Sequence, residues 1–160
     1  MKKTLCLLLC LFLLLSSAVT VCAANDVPEE VLDSTQSVVR ILAKFYQGSS
    51  SGSGFVIKNE PGEVLVVTNN HVVDGGPESI SIWVSEEETV NAKILVTTAE
   101  KDLCILKVTD PVDMEPLKRL DGKPKQGSAI YAVGFPAVAD IFSDTAAHTS
   151  ESATITDGII

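Results

Sequence analysis

Short apolar runs broken by turn residues make up most of this chain, and in two of them the alternation is strict. Ile80, Ile82 and Val84 alternate with Ser81, Trp83 and Ser85. Val90, Ala92 and Ile94 repeat the pattern after residues 86–88, three glutamates that read as a solvated hairpin tip. A period of two puts one face on a core and the other toward solvent, the mark of a half-buried strand, and it predicts Ile94 inward and Trp83 partly exposed. Further strands are expected at residues 37–46, 55–58, 63–69 and 103–108. Asn59-Glu60-Pro61-Gly62 is a turn between two of them, and the Ser/Gly stretch 49–54 reads as another turn, with glycines where backbones approach closely. Residues 26–34 differ: Asp26 can cap, Pro28 sits near a first helical position, and Glu29 and Glu30 complement the positive end of the dipole, so a short helix is expected there. Residues 109–125 carry three prolines and three aspartates and read as a connector, after which 128–133 and 153–155 look like strands again. Runs at this spacing imply an all-β, antiparallel barrel or sandwich.

The first residues follow another grammar. Lys2 and Lys3 precede an unbroken apolar run of eleven residues, 5–15, and Ala23 and Ala24 offer small residues for cleavage. This is the layout of a secretory signal peptide over residues 1–24. Eleven residues rise about 16 Å as a helix, against a hydrocarbon core of about 30 Å. Counting on to Val21 lengthens the span, so an uncleaved N-terminal anchor is the alternative. Cys22 would suit a lipoprotein, but Val21 before it is larger than such a site takes.

Removing that leader changes the composition. Two of the twelve basic residues and none of the twenty-one acids lie in it, so the mature chain, residues 25–160, would carry a net charge of −11. Such an acidic, exported domain is a poor match for nucleic acid or an anionic membrane surface. Three of the four cysteines leave with the leader and only Cys104 remains, so no internal disulfide can form and stability must come from an apolar core. Cys104 lies inside an apolar run and reads as a small buried hydrophobe.

Two residues could carry chemistry together. His71 follows an apolar run and stands where a strand ends and a short turn begins; Asp102 opens the next strand but two. Alone, each reads as a structural residue. As a pair they are 31 residues apart with two strands of a meander between them, which returns the chain to the same rim of a barrel. A hydrolase using a serine needs a base to take the hydroxyl proton and a carboxylate to hold that base in the right tautomer. Asp74 is a poorer orienting acid, because a side chain three residues on needs a helical turn to reach back.

The wording of four segments then matters. Ser51-Gly52-Ser53-Gly54-Phe55-Val56-Ile57, Val67-Thr68-Asn69-Asn70-His71-Val72-Val73, Asp102-Leu103-Cys104-Ile105-Leu106-Lys107-Val108 and Ala132-Val133-Gly134-Phe135-Pro136 closely resemble, in order, successive segments of trypsin-like serine proteases of the bacterial high-temperature-requirement type. The resemblance covers roughly residues 37–160. It implies that His71 and Asp102 are two members of a catalytic triad. It also implies two antiparallel barrels with the active site between them: a first complete over about 37–108, a connector over 109–125, and a second only begun over 126–160. Val72 stands where many animal relatives have a disulfide cysteine. No metal or cofactor is implied. The expected partners are peptide or unfolded protein substrates, the expected location is secreted or extracytoplasmic, and the oligomeric state stays open.

The departures are equally specific. The family nucleophile lies in a Gly-x-Ser-Gly-Gly segment, whose backbone also donates to the oxyanion, and no such segment follows Asp102 here. The chain therefore reads as an N-terminal portion, stopping before its nucleophile. The alternative is a protease-like domain without a nucleophile that binds peptides or a partner protein. Gly48-Ser49-Ser50-Ser51-Gly52 formally matches a nucleophile elbow around Ser50, but that device needs a strand, a tight turn and then a helix, with the order Ser, acid, His. His148, in the polar stretch 144–152, reads as a loop residue. The glutamates at 86–88 have no second ligand cluster behind them that would suit a metal.

Overall fold

The computed structural model of the chain describes residues 27–86, 88–110, 112–136 and 152–160. The expected leader at 1–24, the expected cap Asp26, Glu87 of the expected hairpin tip, and His148 with the polar stretch expected as a loop lie outside the described residues. A short helix, α1 (Glu29–Ser34), follows Pro28 as its N-cap and carries Glu29 and Glu30 in its first turn. A single 3₁₀ turn then leads into β1 (Val38–Phe45).

Six antiparallel strands close a barrel in the order β1-β2-β3-β6-β5-β4. They are β1, β2 (Gly48–Glu60), β3 (Glu63–Thr68), β4 (Ser79–Trp83), β5 (Thr89–Thr98) and β6 (Leu103–Val108). Closure removes the open edges that a six-stranded sheet would otherwise present. Alternation decides what fills it. Val64, Val66 and Thr68 of β3 point inward, as do Cys104, Leu106 and Val108 of β6, with Leu65 and Ile105 between them half-exposed. Ile41, Val56, Val66, Ile82 and Leu106 are all at 1% exposure or less. Each such side chain contributes about 1.5–3 kcal/mol relative to leaving it in water.

Two expectations need correction. The Ser/Gly stretch 49–54 is not a turn: it is the first half of the thirteen-residue β2, paired residue for residue with β1 from Phe45↔Gly48 to Val38↔Phe55. The glycines do mark close approach. A Cβ at Gly54 would lie 2.7 Å from Ile41 Cδ1 and 2.9 Å from both Val66 Cγ1 and the Val67 carbonyl oxygen, so large neighbours already occupy the space inside the wall. The second correction concerns Ile94. Val90 and Ala92 are buried, but Ile94, still paired with Leu106, is 41% exposed, and Leu95 and Val96 at the register shift that follows it are exposed too.

The connector after β6 has no regular strand or helix among its described residues, yet it is tied to β2. Asn59 Nδ2 donates to the carbonyls of Val112 (2.9 Å) and Met114 (2.8 Å), and Leu117 N–H donates to Val56 O at 2.8 Å, beside the β2 bulge between Val56 and Lys58. β7 (Ala129–Gly134) and β8 (Thr154–Ile159) then pair antiparallel as a two-stranded sheet. β7 lies against β1 and β2, and just after it Phe135 N–H donates to Ser53 Oγ at 2.8 Å, with Phe135 itself buried.

Candidate active site

β3 ends at Thr68, and the chain passes through Asn69 (φ −77°, ψ 145°) into a one-turn helix, α2 (Asn70–Val73). Asn70, Val72 and Val73 are buried while His71 faces outward. The buried valines anchor the turn on the barrel, and Asn70 Oδ1 accepts a hydrogen bond from Thr97 Oγ1 on β5. The turn then stops at Asp74, followed by Gly75 and Gly76, both at positive φ (96° and 73°) where only glycine is at ease.

Asp102 arrives from the other side of the barrel. A 3₁₀ turn over Ala99–Lys101 ends β5, and Asp102 closes it with φ 50° and ψ 46°, its N–H bonded to Ala99 O at 3.1 Å. This left-handed conformation is one that aspartate tolerates better than most residues. It redirects the chain into β6 and turns the carboxylate toward α2.

The two residues meet. His71 Nδ1 lies 2.7 Å from Asp102 Oδ2, and His71 N–H donates to Asp102 Oδ1 at 2.9 Å. Asn69 Nδ2 donates to both Oδ2 and the backbone oxygen of Asp102, each at 3.1 Å. The His71 backbone N–H, first, and its ring hydrogen bond, second, hold the Asp102 carboxyl below its ordinary range. An ionised carboxylate on Nδ1 fixes the proton there and leaves Nε2 with a free lone pair, the arrangement a general base requires. The side chains are open, 70% exposed for His71 and 44% for Asp102. The carboxylate partner of His71 is thus Asp102 and not Asp74, although α2 does supply a helical turn between them.

The serines at 49–51 sit inside β2, opposite Lys44, Ala43 and Leu42, so Ser50 is on a strand and not on an elbow. Cys104 is buried at 1% exposure, and burial pushes its thiol pKa up, away from reactive thiolate. Trp83 is half-buried, as its place in the alternation predicts. Sequence reasoning assigned no role to Asn69 or Ser53. The Asn-Asn doublet before His71 was visible, but a side chain that crosses to another strand's turn leaves no periodic signal.

Comparison with known proteins bears on the family and the fold. The model of the family described as "Trypsin-like peptidase domain" matches residues 52–160. The chain is 30% identical over 113 residues to "Serine protease Do-like HtrA" of Bacillus subtilis, covering 70% of this chain and 23% of that protein. It is 36% identical over 91 residues to a Marinomonas protein named "Probable periplasmic serine endoprotease DegP-like", covering 56% and 18%. The chain thus spans about a quarter or less of the length of these curated relatives. Among solved structures, Rv3671c of M. tuberculosis in an inactive mutant form aligns with a TM-score of 0.55 at 28% identity, over 67% of this chain and 49% of that one. The active form of the same protease aligns with a TM-score of 0.56 over 81% and 48%, at 24% identity, and bears on the fold alone. With a family match over well more than half its length and a closed six-stranded barrel of the matching architecture, the chain belongs to the trypsin-like peptidase family, among relatives named HtrA and DegP-like.

Proposed function

We propose that this chain is the base-bearing portion of an extracytoplasmic serine endopeptidase, with His71 as general base and Asp102 as its orienting carboxylate. The observation that carries the reading is the 2.7 Å contact between His71 Nδ1 and Asp102 Oδ2, reinforced by the His71 N–H on Oδ1. In this reading His71 Nε2 takes the proton of a serine hydroxyl as it attacks the scissile carbonyl. Asp102 stabilises the imidazolium that forms, and His71 then gives the proton to the leaving amine. The serine and the backbone donors for the tetrahedral oxyanion come from a Gly-x-Ser-Gly-Gly segment encoded beyond residue 160. The chain's span of less than a quarter of the Bacillus relative supports that placement. Residues 37–108 form the first barrel of the protease domain and residues 126–160 begin the second, with 109–125 between them.

The substrates are peptides or unfolded proteins, taken in extended form between the two barrels. Export rests on the leader grammar of residues 1–24 and on the periplasmic name of the Marinomonas relative. N-terminal sequencing of the exported product should find a start at Asn25; a product that keeps Met1 in the membrane fraction would favour an anchor. The function is tested on the full gene product with casein or a peptide substrate. His71→Ala should abolish most cleavage, and unchanged cleavage would overturn the assignment. Residues 25–160 alone should hydrolyse nothing. Hydrolysis by that piece that His71→Ala abolishes would mean that a serine already present, Ser50 first, is the nucleophile.

A further inference from the structure

An asparagine just before a short helix usually caps it, its side-chain oxygen accepting from one of the first free N–H groups. Asn69 occupies the N-cap of α2 and makes no such bond. The N–H of His71, second in the helix, is taken instead by Asp102 Oδ1 from across the rim. The roles are exchanged. Asp102 caps the helix that carries His71, and the amide of Asn69 is free to donate to Asp102, once to Oδ2 and once to the backbone oxygen.

Each of those bonds has a separate effect. Oδ2 is the oxygen that receives His71 Nδ1, so the bond from Asn69 fixes the carboxylate rotamer in the orientation that faces the imidazole. The backbone oxygen belongs to the single non-glycine residue with positive φ among the described residues, so the second bond holds Asp102 in its left-handed conformation. Without it, relaxation of φ toward the ordinary region would swing the carboxylate off α2. Asn70 completes the clamp from below, where its Oδ1 accepts from Thr97 Oγ1.

We infer that Asn69 is a positioning residue of the peptidase reaction, acting through Asp102 by fixing both its carboxylate rotamer and its left-handed backbone. This rests on the functional reading above and deepens it. The depressed titration of Asp102, to which the Asn69 side chain contributes after the two bonds from His71, is in keeping with it.

The test uses the full gene product with three variants: Asn69→Ala, which removes both bonds; Asn69→Ser, which keeps a single short donor; and Thr97→Val, which loosens the seat of α2 without touching Asp102. Two readouts are taken, kcat against KM on a peptide, and the ¹⁵N shifts of the His71 ring, which report the fraction of neutral imidazole carrying its proton on Nδ1. Asn69→Ala should lower kcat about five-fold, the effect of one modest hydrogen bond, with KM unchanged and the Nδ1-protonated fraction reduced. Asn69→Ser should fall between it and the parent. In an Asp102→Asn background, Asn69→Ala should change nothing further. An unaltered kcat and ring tautomer in Asn69→Ala would overturn the inference. So would equal losses in Asn69→Ala and Thr97→Val that follow the unfolding midpoint, since that is what a merely structural residue gives. The ring spectrum does not need a working nucleophile, so a failure of the peptidase reading would show in His71→Ala activity and leave the Asn69 spectrum to be judged on its own.

Discussion

A single methyl group at Gly52 should displace His71, the proposed general base. The position lies on β2, across from the one-turn helix α2. An added Cβ would stand 2.5 Å from Val72 Cγ2, 3.2 Å from Cγ1 and 3.4 Å from Cβ. Carbon atoms rest at about 3.5–4.0 Å, so roughly 1 Å of movement is required. Val72 has little room to give by rotation: it is 2% exposed, and a β-branched side chain in a helix keeps one strongly preferred χ1. The backbone of α2 must lift, and the residue before Val72 is His71. Overpacking of this kind costs about 1–3 kcal/mol of stability, and a misplacement of about 1 Å at a reacting group can cost on the order of 10²-fold in rate. The assay is urea denaturation of Gly52→Ala alongside the His71 ring spectrum and, in the full gene product, peptide cleavage. Val72→Ala removes both γ carbons and leaves only the 3.4 Å contact, so the double variant should recover part of the loss, with a coupling of about 0.5–3 kcal/mol. A Gly52→Ala protein with unchanged stability and an unchanged His71–Asp102 hydrogen bond would refute the reasoning, as would strict additivity with Val72→Ala.

Other consequences are simpler. Leu106→Ala, at a side chain with no exposure, should destabilise the barrel by about 2–5 kcal/mol in the same denaturation experiment. Asp102→Asn should lower turnover of the full product on the order of 10⁴-fold, as in the archetypal triad, while leaving the fold intact by circular dichroism. Because the folded carboxyl titrates below its ordinary value, whatever it contributes to stability is present above the unfolded pKa and is lost as pH falls through the folded one. The stability difference between parent and Asp102→Asn should therefore shrink as the pH is lowered beneath the ordinary aspartate range, near about 4. Cys104 should resist alkylation at neutral pH in the native chain and react at once in denaturant, read by mass spectrometry; fast native labelling would contradict its burial.

The strands were legible because most are half-buried and their polar positions alternate with apolar ones. That is why β3, β4 and β6 could be read directly, and why the spacing of His71 and Asp102 suggested one rim. What escaped has a common physical cause. Serine and glycine at 49–54 carry turn chemistry in isolation, yet here small side chains are demanded by Ile41, Val66 and Val72 crowding the wall, a fact of the partner strands. The bulge after Ile94 adds one residue without any change of composition. The helix α2 is four residues long, too short for a 3.6-residue period to register, and it exists because its valines are buried against the barrel. The bonds of Asn69 and Ser53 join residues 33 and 82 positions away, where local pattern has nothing to say.

The rim and the core should therefore answer mutation differently. An exposed polar contact adds little to stability, since water competes for its partners and its side chains must be ordered to make it. The His71–Asp102 pair is open to solvent on both sides, and Asp102 holds a backbone conformation that most residues avoid. Yet three donors converge on its carboxylate: the His71 N–H, the His71 ring and the Asn69 amide. Such convergence does little for folding at this exposure and much for direction, because it leaves the imidazole one orientation and one tautomer. Changes confined to the rim, Asp102→Asn and Asn69→Ala, should then separate chemistry from stability. Leu106→Ala should do the reverse, disturbing the fold while any protein that remains native keeps its His71–Asp102 bond. Gly52 is the position where the two meet, since its missing side chain lets Val72 seat in the core and so sets the height of His71 above it.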